Sequence, residues 1–328
     1  MKAIIVSEYG LPETMKYIDL ETPTIHSKQV LIRVEATSVN FADIKARYGR
    51  KGKGDLPFIP GLDAAGVIEQ VGTDVKHLKV GQRVIAFPKK GSYAEYVAAD
   101  GNLTFAIPDN VDFHTAAACP IVSFTSYKLL ADVARLREGE TVLIHAAAGG
   151  IGTTAIQLAK ILGAKQVIGM VGSYNKMEIA KRAGADHVIC HEEEDFANKV
   201  RELTNGEGAD VILDSISGKV TEKSLECLAY YGRIVHFGNS SGEIGNFKTQ
   251  DLHSSCRSVL GFSLGTTRNK RPELLKETAN QVMKYIADGS LEIVIGKRFK
   301  LEEAVEAHQW VESRRSTGKV LLEVRKRD

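Results

Sequence analysis

The run Thr141-Val142-Leu143-Ile144-His145-Ala146-Ala147-Ala148-Gly149-Gly150-Ile151-Gly152 sets an apolar strand against a glycine-rich turn, and residues 153–160 continue as an amphipathic helical pattern. A chain passes from strand to helix this tightly only where the corner carries almost no side chain, which Gly149, Gly150 and Gly152 ensure. The same bareness lets the backbone approach an anion. Its charge is favoured by N–H groups without helical partners and by the positive end of the helix dipole. A second strand pattern follows at residues 166–171. Strand, turn, helix and strand in that order predict a βαβ unit whose first turn holds the pyrophosphate of a dinucleotide.

The alternation continues. Residues 176–183, 187–189, 196–204, 211–213, 221–229 and 234–237 read in turn as helix and strand, as a parallel, doubly wound sheet requires. Ahead of it, residues 3–7, 29–38, 64–71, 82–87 and 93–98 read as short strands bounded by Gly, Pro and Asp, which predicts a β-rich domain. Beyond residue 268 come a helix at 272–288 with Pro272 at its start and Gly289 past its end, a strand at 291–299, a helix at 301–314 and a strand at 319–324. These break the alternation, so the chain is expected to return and complete the first domain. The expected fold class is α/β, with a β-rich catalytic domain from residues 1–122 and 269–328 and a Rossmann doubly wound domain at 123–268. A length of 328 residues suits two domains of roughly 100–200 residues each.

Charge and composition exclude other classes. The 43 Lys and Arg nearly balance 41 Asp and Glu, and the basic residues are scattered apart from Arg325-Lys326-Arg327. Such a balance gives no footprint for nucleic acid or a membrane surface. The apolar runs fall short of the ~20 residues a membrane span needs, and Met1 leads into a strand pattern with no signal-peptide core, so a cytoplasmic protein is expected. Cys119, Cys190, Cys227 and Cys256 lie far apart without zinc-ligand spacing, and are read as buried small hydrophobes with no metal.

The coenzyme follows from what stands past the glycines. Sites that prefer NAD place an Asp or Glu about 20 residues on, to accept from the ribose 2′-hydroxyl. Here no carboxylate occurs between Gly152 and Met177, and the second strand ends in Gly172-Ser173-Tyr174-Asn175-Lys176. Gly172 makes room, Ser173 donates a hydrogen bond and Lys176 supplies positive charge, a set that favours a 2′-phosphate and hence NADPH.

Several segments together resemble the zinc-free quinone oxidoreductase branch of the medium-chain dehydrogenase/reductase superfamily, to which zeta-crystallin belongs. They are Asn40-Phe41-Ala42-Asp43-Ile44-Lys45-Ala46-Arg47-Tyr48-Gly49, Pro60-Gly61-Leu62-Asp63-Ala64-Ala65-Gly66, Gly91-Ser92-Tyr93-Ala94-Glu95-Tyr96, His145 to Gly152, and Phe237-Gly238-Asn239-Ser240-Ser241-Gly242. The resemblance implies a GroES-like catalytic domain, an NADPH-binding Rossmann domain with a cleft between them, and a homodimer. It puts Asn40 and Thr125 near the nicotinamide, and Gly149, Gly150 and Ile151 on the pyrophosphate. It puts Gly172, Ser173 and Lys176 on the adenosine phosphate, and Ser215, Phe237, Gly238 and Asn239 along the ribose and nicotinamide edge. Phe262 and Lys319 are further coenzyme contacts, and His191 stands where relatives carry a tyrosine against the adenine. Asn40 occupies the region of a first zinc ligand in the zinc-dependent cousins, Gly61-Leu62-Asp63 replaces their Gly-His-Glu, and no four-cysteine lobe follows Tyr93. No metal is therefore expected.

Quinones and conjugated enones suit such a site, because charge arriving with a hydride is delocalised into the acceptor and the protein has mainly to orient the partners. Tyr48, read as lying in a loop after Asn40 and Asp43, is the candidate catalytic group, a phenol able to donate to an acceptor oxygen. Asp43 and Asp63 are read as structural, as are Trp310 and Phe299. Two alternatives stand beside quinone reduction: an NADPH-dependent enone or enoyl C=C reductase, and a non-enzymatic NADPH- and RNA-binding protein. Absence of a basic stripe or an RNA-recognition motif weighs against the second.

Overall fold

Short strands open the computed structural model, which describes residues 1–50 and 56–325. In chain order these are β1 (Lys2–Val6), β2 (Met15–Asp19), β3 (Gln29–Val39), β4 (Ala64–Val71), β5 (Arg83–Ala86), β6 (Tyr96–Asp100) and β7 (Thr104–Ala106), with α1 (Phe41–Arg47) between β3 and β4. α2 (Phe113–Tyr127) then leads to β8 (Thr141–Ile144), α3 (Gly150–Ile161), β9 (Gln166–Val171), α4 (Met177–Arg182), β10 (His187–Cys190), α5 (Phe196–Leu203) and β11 (Ala209–Asp214). There follow α6 (Lys219–Ser224), β12 (Leu228–His236), α7 (Gln250–His253), β13 (Ser258–Gly261), α8 (Leu264–Lys270), α9 (Leu275–Ala287), β14 (Ile295–Lys300), α10 (Ala304–Glu312) and β15 (Lys319–Glu323).

The chain divides into two units, Met1–Phe124 with Gly265–Gly289 and Ile295–Asp328, and Thr125–Leu264 with Ser290–Val294. The returning segment is thus interrupted, because residues 290–294, expected to begin a strand of the first domain, are irregular and group with the second unit.

In the first unit β3 is the hub. β4 pairs along one edge, while on the other β6 pairs with Gln29–Arg33 and β15 with Ala36–Val39, all antiparallel. Val30, Ile32 and Val34 point one way into a cluster with Ile68, Val84 and Val97, as alternation along a strand demands. Val39, Val320, Leu322, Leu301 and Tyr93 form a second cluster, against which Phe299 and Trp310 pack, so both aromatics are packing groups as expected.

The second unit is a six-stranded sheet in the order β10-β9-β8-β11-β12-β13, with every pair parallel. Val142, Leu143, Ile144, Ile212, Leu213, Ile234 and Val235 are all but inaccessible, the near-continuous apolar strands of a sheet covered on both faces. Each such side chain contributes roughly 1.5–3 kcal/mol by leaving water. Strand order reverses between β8 and β11, and ligands of such sheets bind beyond the carboxyl ends of the strands at that point.

Three expectations are corrected. The residue pattern assigns nothing between residues 98 and 141, where the structure has α2, with Pro120 inside it. Proline removes the N–H that would bond the Ala116 carbonyl; the Cys119 thiol donates to that oxygen at 3.3 Å instead. The helix expected at 221–229 ends early, and β12 begins at Leu228 with Tyr231 at φ 61°. Cys256 is exposed, whereas Cys119, Cys190 and Cys227 are buried as expected.

Candidate active site

The second unit gathers its candidate residues along the carboxyl edge of the sheet. β8 ends in the turn to α3, whose first turn carries neither a capping side chain nor an acid. The N–H groups of Gly150, Ile151 and Gly152 have no carbonyl within the helix to bond, so they present donors and dipole together. Gly152 is required by contact. A Cβ there would lie 2.4 Å from the Ala146 carbonyl oxygen and 2.5 Å from the Ala147 Cα. Ser126, next to Thr125 at the end of α2, donates to the Ile151 carbonyl at 3.3 Å, tying the end of α2 to this turn.

β9 and β10 end together. His191 N–H donates to the Val171 carbonyl at 3.0 Å, and a Cβ on Gly172 would stand 3.5 Å from both His191 Nε2 and Glu192 Oε1. Gly172, Ser173, Lys176 and His191 therefore share one corner. Ser173 Oγ donates to Asn175 Oδ1 at 2.6 Å. The corner also holds what a linear reading misses: the turn after β10 brings Glu192 to Gly172, while Glu193 and Glu194 act on Tyr174. A search for carboxylates confined to the first βαβ unit passes over acids contributed by the next strand.

β11, β12 and β13 supply the other end. Phe237 N–H bonds the Asp214 carbonyl, Ser240 N–H bonds the Ser215 carbonyl, and Phe262 N–H bonds the His236 carbonyl. A Cβ on Gly238 would meet the Ser215 backbone oxygen at 2.9 Å, so the Gly238 and Ser215 backbones lie against one another, with Phe262 just past the end of β13. Asp214, which sequence reasoning passed over, anchors this turn by accepting from the Ile216 and Ser217 N–H groups at 2.8 and 3.1 Å and from the Thr221 hydroxyl. Burial opposes its ionisation, but neighbouring His145 and these donors hold its carboxyl below the ordinary range.

The first unit carries Asn40, Tyr48 and Lys319. Asn40 precedes α1, and its N–H donates to Asp43 Oδ2 at 2.8 Å, so Asp43 caps the helix and is structural as expected. Lys319 Nζ is buried, 2.7 Å from Asn40 Oδ1. Tyr48 is the C-cap residue in the turn directly after α1, its ring lies beside the Arg47 and Arg50 guanidinium groups, and its hydroxyl bonds Glu312. That bond, then burial, raises the phenol's pKa, and donation to an acceptor would require the hydroxyl to leave that carboxylate. Among the described residues, no three His, Cys, Asp or Glu side chains are gathered as a metal would need, and no helix is long and apolar enough to cross a membrane.

A family model described as zinc-binding dehydrogenase matches residues 150–280, and one described as alcohol dehydrogenase GroES-like domain matches residues 26–109. The quinone oxidoreductase of Pseudomonas aeruginosa is 38% identical, over 98% of this chain and 99% of the relative. That of Rattus norvegicus is 35% identical, over 98% and 97%. The crystal structure of Escherichia coli quinone oxidoreductase complexed with NADPH superposes with a TM-score of 0.91 at 32% identity, covering 99% of this chain and 100% of that one. A GroES-like sheet and a parallel Rossmann sheet with this glycine-rich turn define an oxidoreductase that works with a nicotinamide coenzyme. Within that class the chain belongs to the zeta-crystallin-like quinone oxidoreductase branch of the medium-chain dehydrogenase/reductase superfamily.

Proposed function

We propose that the chain reduces quinones with NADPH by hydride transfer without a metal ion, as a cytoplasmic homodimer. The observation that carries this is the acid-free first turn of α3, held against β8 by a glycine whose Cβ would strike backbone at 2.4 Å. Such a cradle fits a pyrophosphate. NADPH supplies the hydride when bound. The chain's own residues bind and orient it: the turn Gly149-Gly150-Ile151 takes the pyrophosphate, Gly150 and Ile151 offering their N–H groups and Gly149 leaving room for its approach, with Ser173 and Lys176 on the 2′-phosphate and His191 on the adenine side. Ser215, Phe237, Gly238, Asn239 and Phe262 serve the ribose and nicotinamide end, where Asn40 and Thr125 are also assigned.

The acidic turn 192–194 works against a 2′-phosphate unless Lys176 offsets it. Coenzyme choice is therefore the first experiment: fluorescence titration with NADPH and NADH of the wild type and Lys176→Ala. Tighter NADPH binding that falls to the NADH level in the variant supports the assignment; equal binding of both coenzymes, untouched by the substitution, refutes it. Hydroquinone or semiquinone as product then supports quinone reduction, and a saturated ketone would point to the enone reductase reading instead. Retention on single-stranded RNA with steep salt dependence would favour an RNA-binding protein. Light scattering at twice the 35.8 kDa chain mass supports the dimer.

A further inference from the structure

Lys319 opens β15 opposite the end of β3 and is 4% exposed. Its ammonium donates to the Val39 carbonyl at 3.1 Å and to Asn40 Oδ1 at 2.7 Å. Asn40 Nδ2 in turn donates to Asp63 Oδ1 and to the Ser38 carbonyl, both at 3.3 Å. Asp63, wholly buried, also accepts from the Ser38 hydroxyl at 2.7 Å and the Ile121 N–H at 3.4 Å. A lysine is seldom this buried without a counter-charge. Here the counter-charge is internal, one carboxamide away.

The arrangement gives Asn40 a single orientation. Its amide oxygen meets an ammonium and its amide nitrogen meets a carboxylate. Rotation by half a turn would set nitrogen against Lys319 and oxygen against Asp63, exchanging two charge-assisted hydrogen bonds for two repulsions. Asn40 also starts α1, so fixing it fixes the beginning of that helix. An ammonium spent in this way is poorly placed to serve as a coenzyme contact, which is the role the family resemblance alone suggests for it.

We propose that Lys319 is a positioning residue for hydride transfer: with Asp63 it locks the Asn40 carboxamide, and it does not bind the coenzyme. The inference rests on the assignment of Asn40 to the nicotinamide end made above.

Lys319→Met and the neutral double variant Lys319→Met/Asp63→Asn test it. The charged and titratable groups that bear on Asp63 are Lys319 on β15, Arg268 on α8, Cys119 on α2 and Tyr93 ahead of β6, and Asp43 on α1 acts on several of the same groups. Burial raises the Asp63 pKa and Lys319 is the largest opposing influence, so Lys319→Met raises it further. A carboxyl raised in the folded state stabilises below its unfolded pKa and loses that contribution as pH rises through its folded pKa.

Relative to wild type at the same pH, the melting temperature of the coenzyme-free single variant should therefore fall with rising pH, and the double variant should lose that relative slope. With coenzyme, the single variant should bind NADPH within about twofold of wild type while its single-turnover rate with a soluble benzoquinone drops at least about tenfold. A tenfold or greater loss of NADPH affinity with an unchanged rate at saturation would overturn the proposal and make Lys319 a coenzyme ligand. Wild-type rates and pH profiles in both variants would overturn it as well. Should the single variant not fold, the double variant decides: unchanged binding with a slowed rate supports the clamp, and a wild-type rate overturns it. Failure of the wild type to oxidise NADPH with any quinone or enone would sink the functional reading along with the inference, whereas a wild-type-like Lys319→Met sinks the inference alone.

Discussion

Gly152→Ala is expected to cripple coenzyme binding while leaving a folded protein. The new Cβ would lie 2.4 Å from the Ala146 oxygen and 2.5 and 2.6 Å from the Ala147 Cα and carbonyl carbon, so every atom it meets is backbone. Relief to an ordinary contact of roughly 3.5 Å needs a shift of about 1 Å between the turn and α3. The turn resists, because Ala147 N–H bonds the Met170 carbonyl at 2.9 Å and Gly149 N–H bonds the Ala146 carbonyl at 3.0 Å. Overpacking costs about 1–3 kcal/mol, taken here at the upper end because no side chain yields. For a unit of this size about 3 kcal/mol lowers the melting temperature by roughly 6–12 °C. The same shift of about 1 Å moves the phosphate-facing N–H groups off their positions, a misplacement of the order that costs about 100-fold. Gly172→Ala is the control. Its Cβ would meet only His191 and Glu192 side-chain atoms at 3.5 Å, so stability should change by less than about 0.5 kcal/mol and NADH binding little, while NADPH loses room. Calorimetry with fluorescence titration of both coenzymes measures all four quantities. A Gly152→Ala protein that melts within about 2 °C of wild type and binds NADPH normally would refute the reasoning.

Further outcomes follow from the same geometry. Glu192→Gln should raise the ratio of NADPH to NADH affinity several-fold, since it removes negative charge beside Gly172; an unchanged ratio in the fluorescence titration would mean that Glu192 does not sense the 2′-phosphate. His145 and His308 are buried and pushed down to about 4 and about 3 respectively, desolvation being the main cause in each. Groups depressed in the folded state give stability that is full above the unfolded value of about 6.5 and is lost as pH falls toward the folded pKa, so urea unfolding should show a loss of about 2 kcal/mol per histidine between pH 7 and 5. A flat stability profile over that range would show that neither ring is held neutral. Tyr48→Phe should cost stability through the lost Glu312 bond and leave the steady-state rate within about threefold, whereas a hundredfold drop in kcat would restore the phenol as proton donor.

What the sequence discloses here depends on how far apart the partners lie along the chain. The phosphate turn is legible because strand, glycines and helix are consecutive, and the parallel sheet because each βα pair repeats the signal locally. The first unit is less legible, since β3 takes its partners from β4, β6 and β15, and the pairing that buries Lys319 joins residues 280 apart. α2 escapes detection because Pro120 punctuates it, and only the fold shows the Cys119 thiol taking up the orphaned carbonyl. The corner at the ends of β9 and β10 shows the same limit in the opposite sense. The lack of an acid from Gly152 to Met177 is a true statement about the chain, yet the structure brings Glu192 to Gly172 from the end of the neighbouring strand. A site assembled from strand ends is read by summing charges along the whole edge of the sheet, and on that edge Glu192 stands beside Gly172 while Glu193 and Glu194 act on Tyr174. On the coenzyme assignment proposed above, preference would be set by the difference between two opposed charge groups, and single substitutions on either side are expected to move it in opposite directions.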